Sequence, residues 1–244
     1  MSPRTKHRPP SIAPAERGAE LLQLAHAAAH DLNAPLRKIS AFGDLLKGRM
    51  KDKLDSVEAD YLERILVAAA DAAKIVSDLM TLSRIAHEAY PLETVDLNAV
   101  LAGAKADLTS EIAGSGARIE AGRLPALKGN ALLLHTLLSN LLSNAVKFRR
   151  PGQAPLVRID SRLEGDSFAL AVADEGIGFE PGYAEKIFQP FMRLNAPVLY
   201  KGNGLGLAIA RAAAERLGGS LAAASEPGRG AVFTLRLPAS ALAR

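Results

Sequence analysis

His30 and Asp31 stand side by side in "LAHAAAHDLNAPLRKISAFGDLL", residues 24–46, inside a stretch whose apolar residues otherwise repeat at helical spacing. An imidazole with a reference pKa of about 6.5 is largely neutral at pH 7 and can act as a nucleophile. The adjacent carboxylate can orient the ring or take its proton. Leu32 belongs to the apolar seam, and two residues at about 100° each turn His30 to the opposite side. Pro35 removes one helical N–H and is expected to distort the turn. A solvated surface pair is the other reading of His30 and Asp31 taken alone. His26 and His30, four apart, could share a metal, although no third ligand is apparent.

A second set of polar residues lies in "LLSNLLSNAVKF". Asn140 and Asn144 are one helical turn apart, and Lys147 follows on the same face while the leucines point to a core. Neutral amide oxygens suit Mg²⁺, a hard ion that binds largely through substrate phosphates, and the ammonium of Lys147 can meet those phosphates. A solvated helix face is the alternative. In "ADEGIGFEP" Asp174 ends a strand-like run just before Gly176 and Gly178. A carboxylate there can accept from an exocyclic amine such as adenine's, and the glycines let backbone approach a ligand closely. "KGNGLGLAIARAAAERLGG" leads Gly202, Gly204 and Gly206 into a helix N-terminus, an arrangement suited to phosphate. Neither the dinucleotide G-x-G-x-x-G unit nor the G-x-x-x-x-G-K-[ST] phosphate loop is present. Between the glycine stretches, "YAEKIFQPFMRLNAPVLY" mixes aromatic and polar residues as a cover over a nucleotide would.

The elements that must carry these residues follow from periodicity. One helix shows its seam at Ala25, Ala29, Leu32, Leu36, Ile39, Phe42 and Leu46, and a second at Leu62, Ile65, Ala69, Ala72, Val76 and Leu79. The polar "KGRMKDKLDS" between them predicts an antiparallel hairpin. One hairpin cannot bury both seams, whereas two about a two-fold axis make a four-helix bundle. From about Tyr90 the pattern changes. A short helix opens at "VDLNAV" with Asp96 as its cap. Strands follow at "ARIEAG", "LVRIDSRL", "SFALAVAD" and "AVFTLRLP", with the middle pair turning at "EGDS". Helices fall at "NALLLHTLLSNLLSNAVKF" and "GLAIARAAAERLG". This predicts an α+β protein: a helical hairpin followed by an α/β sandwich with helices on one face of a mixed sheet. The boundaries are a disordered basic tail over 1–18, the hairpin over 19–89 and the sandwich over 90–240.

Composition narrows the classes further. No cysteine is present, which excludes disulfides, thiolate metal sites and a cysteine nucleophile. The apolar run from Ile65 to Ala70 is far short of the roughly 20 residues that span a bilayer. Of the net charge of +4, Arg4, Lys6, Arg8 and Arg17 against Glu16 place all but about one unit in the tail. A nucleic-acid surface is therefore not indicated.

Taken in order, these motifs resemble those of the sensor histidine kinases of two-component signalling, over roughly residues 20 to 238. "HDLNAPLRKISAFGDLL" resembles the H box, which implies His30 as phosphoacceptor and Asp31 as general base. "NLLSNAVKF" resembles the N box and implies Mg²⁺ and phosphate contacts for Asn140, Asn144 and Lys147. "DEGIGF" is similar to the first glycine box, in which Asp174 would contact adenine beside Gly176 and Gly178. "IFQPFMRL" resembles the F box, with Phe188 and Phe191, and puts Arg193 where the family aims an arginine at the γ-phosphate. "GNGLGLAIA" resembles the second glycine box, with Gly202, Gly204, Leu205 and Gly206 at the nucleotide, and "GRGAVFTL" the glycine stretch before the last strand. The resemblance implies a GHKL-type ATP-binding domain, ATP and Mg²⁺ as cofactors, autophosphorylation of His30 and transfer to an aspartate of a response-regulator receiver domain. The alternatives are a non-catalytic phosphotransfer adaptor, which should show eroded boxes, and an ATPase of the wider gyrase and heat-shock chaperone superfamily, against which the hairpin argues.

Two positions depart from the family. Ala34 stands where a threonine or asparagine often serves dephosphorylation of the partner, with Asn33 next to it, so a poor phosphatase is expected. Asn130 replaces a common aspartate and is expected to cap the following helix equally well. With only about 20 residues before the hairpin, the expectation is a soluble, cytoplasmic homodimer that takes its input from a separate protein, with no membrane or nucleic-acid partner.

Overall fold

The computed structural model describes residues 14–51, 53–194, 200 and 202–243; of these, the side chains of residues 14–30 lie outside the description. The chain divides into two compact units between Ser83 and Arg84.

The first unit is the helical hairpin. Helix α1 runs from Pro14 to Arg49 and α2 from Ser56 to His87. Residues 14–18, expected in the tail, are thus helical, and Pro14 supplies the preset φ that suits a first helical position. The chain enters α2 through a reciprocal cap. Asp55 Oδ1 accepts from the amides of Val57 and Glu58 at 2.8 Å, and Glu58 Oε2 accepts from the Asp55 amide at 3.0 Å. Antiparallel packing is fixed by three cross-links. Lys47 Nζ lies 2.5 Å from Glu63 Oε2, Leu66 fills the space over Gly43, and Asn33 Nδ2 donates to Met80 Sδ at 3.5 Å. Helix α1 runs on through Pro35 as continuous helix, with the proline exposed at its surface.

The face that α1 turns to α2 is not the expected seam. Asn33, Leu36, Ser40 and Gly43 are the half-buried positions, while Leu32, Ile39, Phe42 and Leu46 stay exposed; Phe42 is 69% accessible. Of the α2 seam, Leu62, Ala69 and Val76 are buried, but Ile65 is exposed, as are Val57 and Tyr61 on the same stripe. Small residues on α1 let the two helices approach, and the large apolar ones are left over.

The second unit is a two-layer sandwich. Strand β1 (Glu93–Asp96) leads into α3 (Leu97–Asp107), whose first turn is capped by Asp96 Oδ1 accepting from Asn98 N at 2.8 Å. Helix α4 (Thr109–Ser115) ends on Gly116, φ 68°, and β2 (Arg118–Ala121) follows. Strand β3 (Ala126–Gly129) pairs antiparallel with β1 in a small separate sheet. Helix α5 (Ala131–Lys147) begins at Asn130, whose side chain accepts from the amides of Leu132 and Leu133, so the asparagine caps as expected. Strands β4 (Leu156–Glu164) and β5 (Ser167–Asp174) form the predicted hairpin, with Gly165 at φ 57° in the turn. Helix α6 (Gly206–Arg216), β6 (Ser220–Ser225) and β7 (Ala231–Pro238) complete the unit. The main sheet has the order β2-β4-β5-β7-β6, parallel only between β2 and β4. Helix α5 packs on its centre between α3 and α6, with Leu133, Leu134, Leu137, Leu138, Leu141 and Leu142 each at most 1% exposed. Among the described residues no helix is long and apolar enough to cross a membrane.

Candidate functional site

Asp174 is the last residue of β5, paired there with Ala231 of β7. Its Oδ1 accepts from the Gly176 amide at 2.9 Å and from the Ala231 amide at 3.3 Å. Burial pushes its carboxyl up to about 6, against the lowering effect of those two amides. Neither of these bonds uses Oδ2.

The loop after Asp174 is shaped by backbone contact. A Cβ on Gly176 would lie 2.7 Å from Asp174 Oδ1 and strike the Phe148 carbonyl, and one on Gly178, φ 63°, would meet the Gly230 carbonyl at 2.9 Å. The Ile177 amide donates to Phe148 O at 2.9 Å, and Gly228 N to Ile177 O at 2.7 Å. Ser225 Oγ accepts from Phe179 N at 2.9 Å and donates to Gly230 O at 2.6 Å, and Arg150 Nε donates to Gly176 O at 3.2 Å. Ser225 and Arg150 are marked by no motif, and Ala231 lies in the "GRGAVFTL" stretch, which does not reveal what its amide bonds. Ser225 and Ala231 meet only through pairing across the sheet, and β6 itself, an alanine run, shows no strand pattern.

The end of α5 supplies the opposite wall. Asn140 Nδ2 donates to Thr136 O at 2.8 Å, which turns Oδ1 toward Gly206, where a Cβ would approach it to 2.7 Å. Asn144 is half-buried one turn on. Lys147 Nζ lies 4.3 Å from the Phe148 ring centroid and directly beside Gly202, whose φ of 145° falls where side chains are strained. Burial first, and then the charge of Arg193, hold the ammonium down at about 8. Arg193 itself is exposed and donates through Nη2 to Tyr200 O at 2.8 Å. Two cations therefore stand close together at the start of α6, and among the described residues neither has an ion-pair partner.

The glycine stretch is wound tightly here. Gly204 has φ 75°, and Phe191, φ 63°, is the one non-glycine residue in the left-handed region among those described. The Phe191 amide donates to Gly204 O at 3.0 Å, and Asn203 Oδ1 accepts from Leu205 N at 3.1 Å. Two residues expected at the nucleotide have buried side chains. Phe188 is 4% exposed, edge-on to Phe233 at 6.5 Å and covered by the Arg211 guanidinium at 5.1 Å, and Leu205 is fully buried. Both side chains belong to the core and anchor the stretches around them.

Asn140, Asn144, Lys147, Asp174, Gly176, Gly178, Arg193, Gly202, Gly204 and Gly206 thus converge on one region around Phe148 and the N-terminus of α6. Asp31 is exposed on α1, in the other unit; the side chains of His26 and His30 lie outside the described residues. Among the described residues, no group of three or more histidine, cysteine, aspartate or glutamate side chains could hold a metal. The hard oxygens available are the asparagine amides, of which Asn140 Oδ1 is freed by the bond its own NH₂ makes to Thr136.

Comparison with known proteins agrees with this arrangement. Residues 20–88 match the His Kinase A (phospho-acceptor) domain, and residues 129–241 the histidine kinase-, DNA gyrase B- and HSP90-like ATPase family. The phytochrome-like protein Cph1 of Synechocystis sp. is 32% identical over 220 residues, 90% of this chain but 29% of that protein. Sensor histidine kinase RcsC of Escherichia coli K12 is 30% identical over 221 residues, 86% of this chain and 22% of its own length. The chain thus spans less than a third of these relatives. In fold it resembles full-length ShkA in complex with AMPPNP, with a TM-score of 0.70 and 24% identity over 91% of this chain and 46% of that one. A phosphoacceptor-type hairpin joined to an ATPase-type sandwich defines the class. The chain belongs to the sensor histidine kinases.

Proposed function

We propose that the second unit binds ATP with Mg²⁺, that the chain phosphorylates His30, and that the phosphoryl group then passes to an aspartate of a response-regulator receiver domain. The observation that carries this reading is the pair of unneutralised cations, Lys147 and Arg193, beside the glycine-led start of α6, with the buried Asp174 carboxylate at the other end of the same region. That is the charge pattern of a site for a triphosphate carrying an amine-bearing base. Residues 19–89 serve as the phosphotransfer hairpin and 90–240 as the catalytic domain.

In this reading a ring nitrogen of His30 forms a bond to the γ-phosphorus while the bond from that phosphorus to its bridging oxygen breaks, and ADP departs with the electron pair. Asp31 accepts the proton carried by the other ring nitrogen. Lys147, Arg193 and the first amides of α6 counter the charge that spreads over the equatorial oxygens. Asn140 and Asn144 would hold magnesium, which neutralises phosphate charge when bound. In the second step the N–P bond breaks, an aspartate oxygen of the receiver bonds the phosphorus, and His30 recovers its proton. Exposed Leu32, Ile39, Phe42, Leu46, Tyr61 and Ile65 pair with a second copy as a four-helix bundle.

Incubation with γ-labelled ATP tests the reading. The expected result is acid-labile, base-stable label that Mg²⁺ chelation and His30→Gln abolish, with ATP binding kept in the variant. Label retained by His30→Gln overturns the assignment and points to His26. With a labelled receiver, decay should not be accelerated, because Ala34 has no polar group and Asn33 is engaged with Met80.

A further inference from the structure

Ser225 closes β6 at the back of the Asp174 loop, and its hydroxyl works in both directions. Oγ donates to the carbonyl of Gly230 at 2.6 Å and accepts from the amide of Phe179 at 2.9 Å. These two partners belong to the two segments that adjoin Asp174. Phe179 ends the loop that leaves Asp174 through Gly176 and Gly178. Gly230 immediately precedes Ala231, whose amide holds Asp174 Oδ1 at 3.3 Å. The remaining tie between the loop and the β6–β7 turn is the backbone bond from Gly228 N to Ile177 O, which no substitution at 225 removes. Within β6 the residues just before it, Ala222, Ala223 and Ala224, carry no hydroxyl, and Ser220 stands exposed at the other end of the strand. Losing this one would leave a half-buried donor and acceptor without their partner.

We propose that Ser225 is a positioning residue for base recognition: its hydroxyl clamps Gly230 against Phe179, so that the Ala231 amide keeps Asp174 Oδ1 occupied and Oδ2 is presented to the exocyclic amine of adenine. This rests on the reading of the second unit as an ATP site. Ser225 does not touch the nucleotide. It decides whether the carboxylate is already oriented when the base arrives, and orientation fixed in advance is where affinity is gained. The triphosphate end, built from α5 and the start of α6, is independent of it.

The test compares full-chain wild type with Ser225→Ala, Ser225→Thr and Asp174→Asn by calorimetric titration with ATP and, separately, with inorganic tripolyphosphate. Ser225→Ala should weaken ATP about five- to tenfold, leave tripolyphosphate unchanged, and move the acid limb of the ATP affinity profile to higher pH, because the Ala231 amide no longer supports the ionised carboxylate. Ser225→Thr should restore both. An alanine variant with wild-type ATP affinity and acid limb overturns the proposal. So does an equal loss toward ATP and tripolyphosphate, which would be general loosening, or a threonine variant as weak as alanine. Should the alanine variant not fold, Ser225→Thr and Ser225→Val, alike in size and differing in the hydroxyl, carry the same comparison. A wild type that ignores ATP, or an Asp174→Asn variant that binds it undiminished, removes the ATP reading itself and this proposal with it.

Discussion

Asp174 and Lys147 are displaced in opposite senses, and burial is the first cause of both. A carboxyl whose folded pKa lies above its unfolded value opposes folding once ionised, so Asp174 costs the unliganded domain stability as pH rises through the ordinary carboxylate range to about 6. Lys147 carries its penalty below about 8 and sheds it as pH rises toward the usual lysine range. An amine donor favours the carboxylate and a phosphate favours the ammonium. ATP binding should therefore release a proton at and just below about pH 6 and take one up at and just above about pH 8, and affinity should fall on both sides of that window. Calorimetry in buffers of different ionisation enthalpy reads this directly. Asp174→Asn should flatten the acid limb alone and Lys147→Met the alkaline limb alone, and a limb that survives its own substitution would assign that proton elsewhere. The residues that gather here are mostly those whose spacing the sequence displays, because Asn140, Asn144 and Lys147 need only helical periodicity to share a face. The surroundings of Phe188 are not legible in the same way: nothing local in its polar stretch reveals that its ring packs edge-on to Phe233 across the fold.

The elements differ in how far local pattern specifies them. Helix α5 is legible throughout, from the Asn130 cap to the repeating leucine pairs, since its buried face, set on the sheet and between α3 and α6, is apolar along its whole length. Of those leucines, Leu137 is fully buried, so Leu137→Ala should destabilise the second unit by roughly 2–5 kcal/mol, read by urea denaturation as a lower midpoint at unchanged slope. A loss within the range of surface substitutions would mean that the core collapses onto the vacancy. Strand β6 was not legible, because "SLAAAS" has neither alternation nor the branched residues that mark a strand, and it is held by its pairing with β7. Strands β1 and β3 depend on each other across thirty residues and on nothing nearby. In the hairpin both seams were visible as period, but the period does not say which stripe meets the partner helix. Small Gly43 and Ser40 win that contact, because they allow α2 to come close.

At the scale of the whole molecule, that choice leaves an apolar stripe outside the single chain. Ile39 and Phe42 on α1 and Tyr61 and Ile65 on α2 are 46% to 69% exposed, more apolar side chain than a monomeric hairpin leaves in water without cause. Sedimentation equilibrium of the full chain should give a dimer, and Ile39→Glu with Phe42→Glu should give a monomer whose second unit still binds ATP. A wild-type monomer, or a dimer indifferent to both charges, would leave the stripe for another partner.

Phe191 sits in a left-handed backbone conformation, held there by its own amide bonded to Gly204, in the short stretch that ends at Arg193. For a residue with a bulky side chain that posture is costly, by about 1–2 kcal/mol. The domain is accordingly less robust than its core would make it, and the deficit is concentrated two residues from Arg193, the arginine proposed to meet the phosphates. Phe191→Gly removes the steric objection. It should raise the melting temperature of the unliganded protein by a few degrees, provided the exposed ring contributes little packing; an unchanged or lower value would mean that the aromatic side chain repays its own strain. Resistance to heat and readiness of this loop are then opposing demands on one φ angle, and the natural sequence has settled against heat.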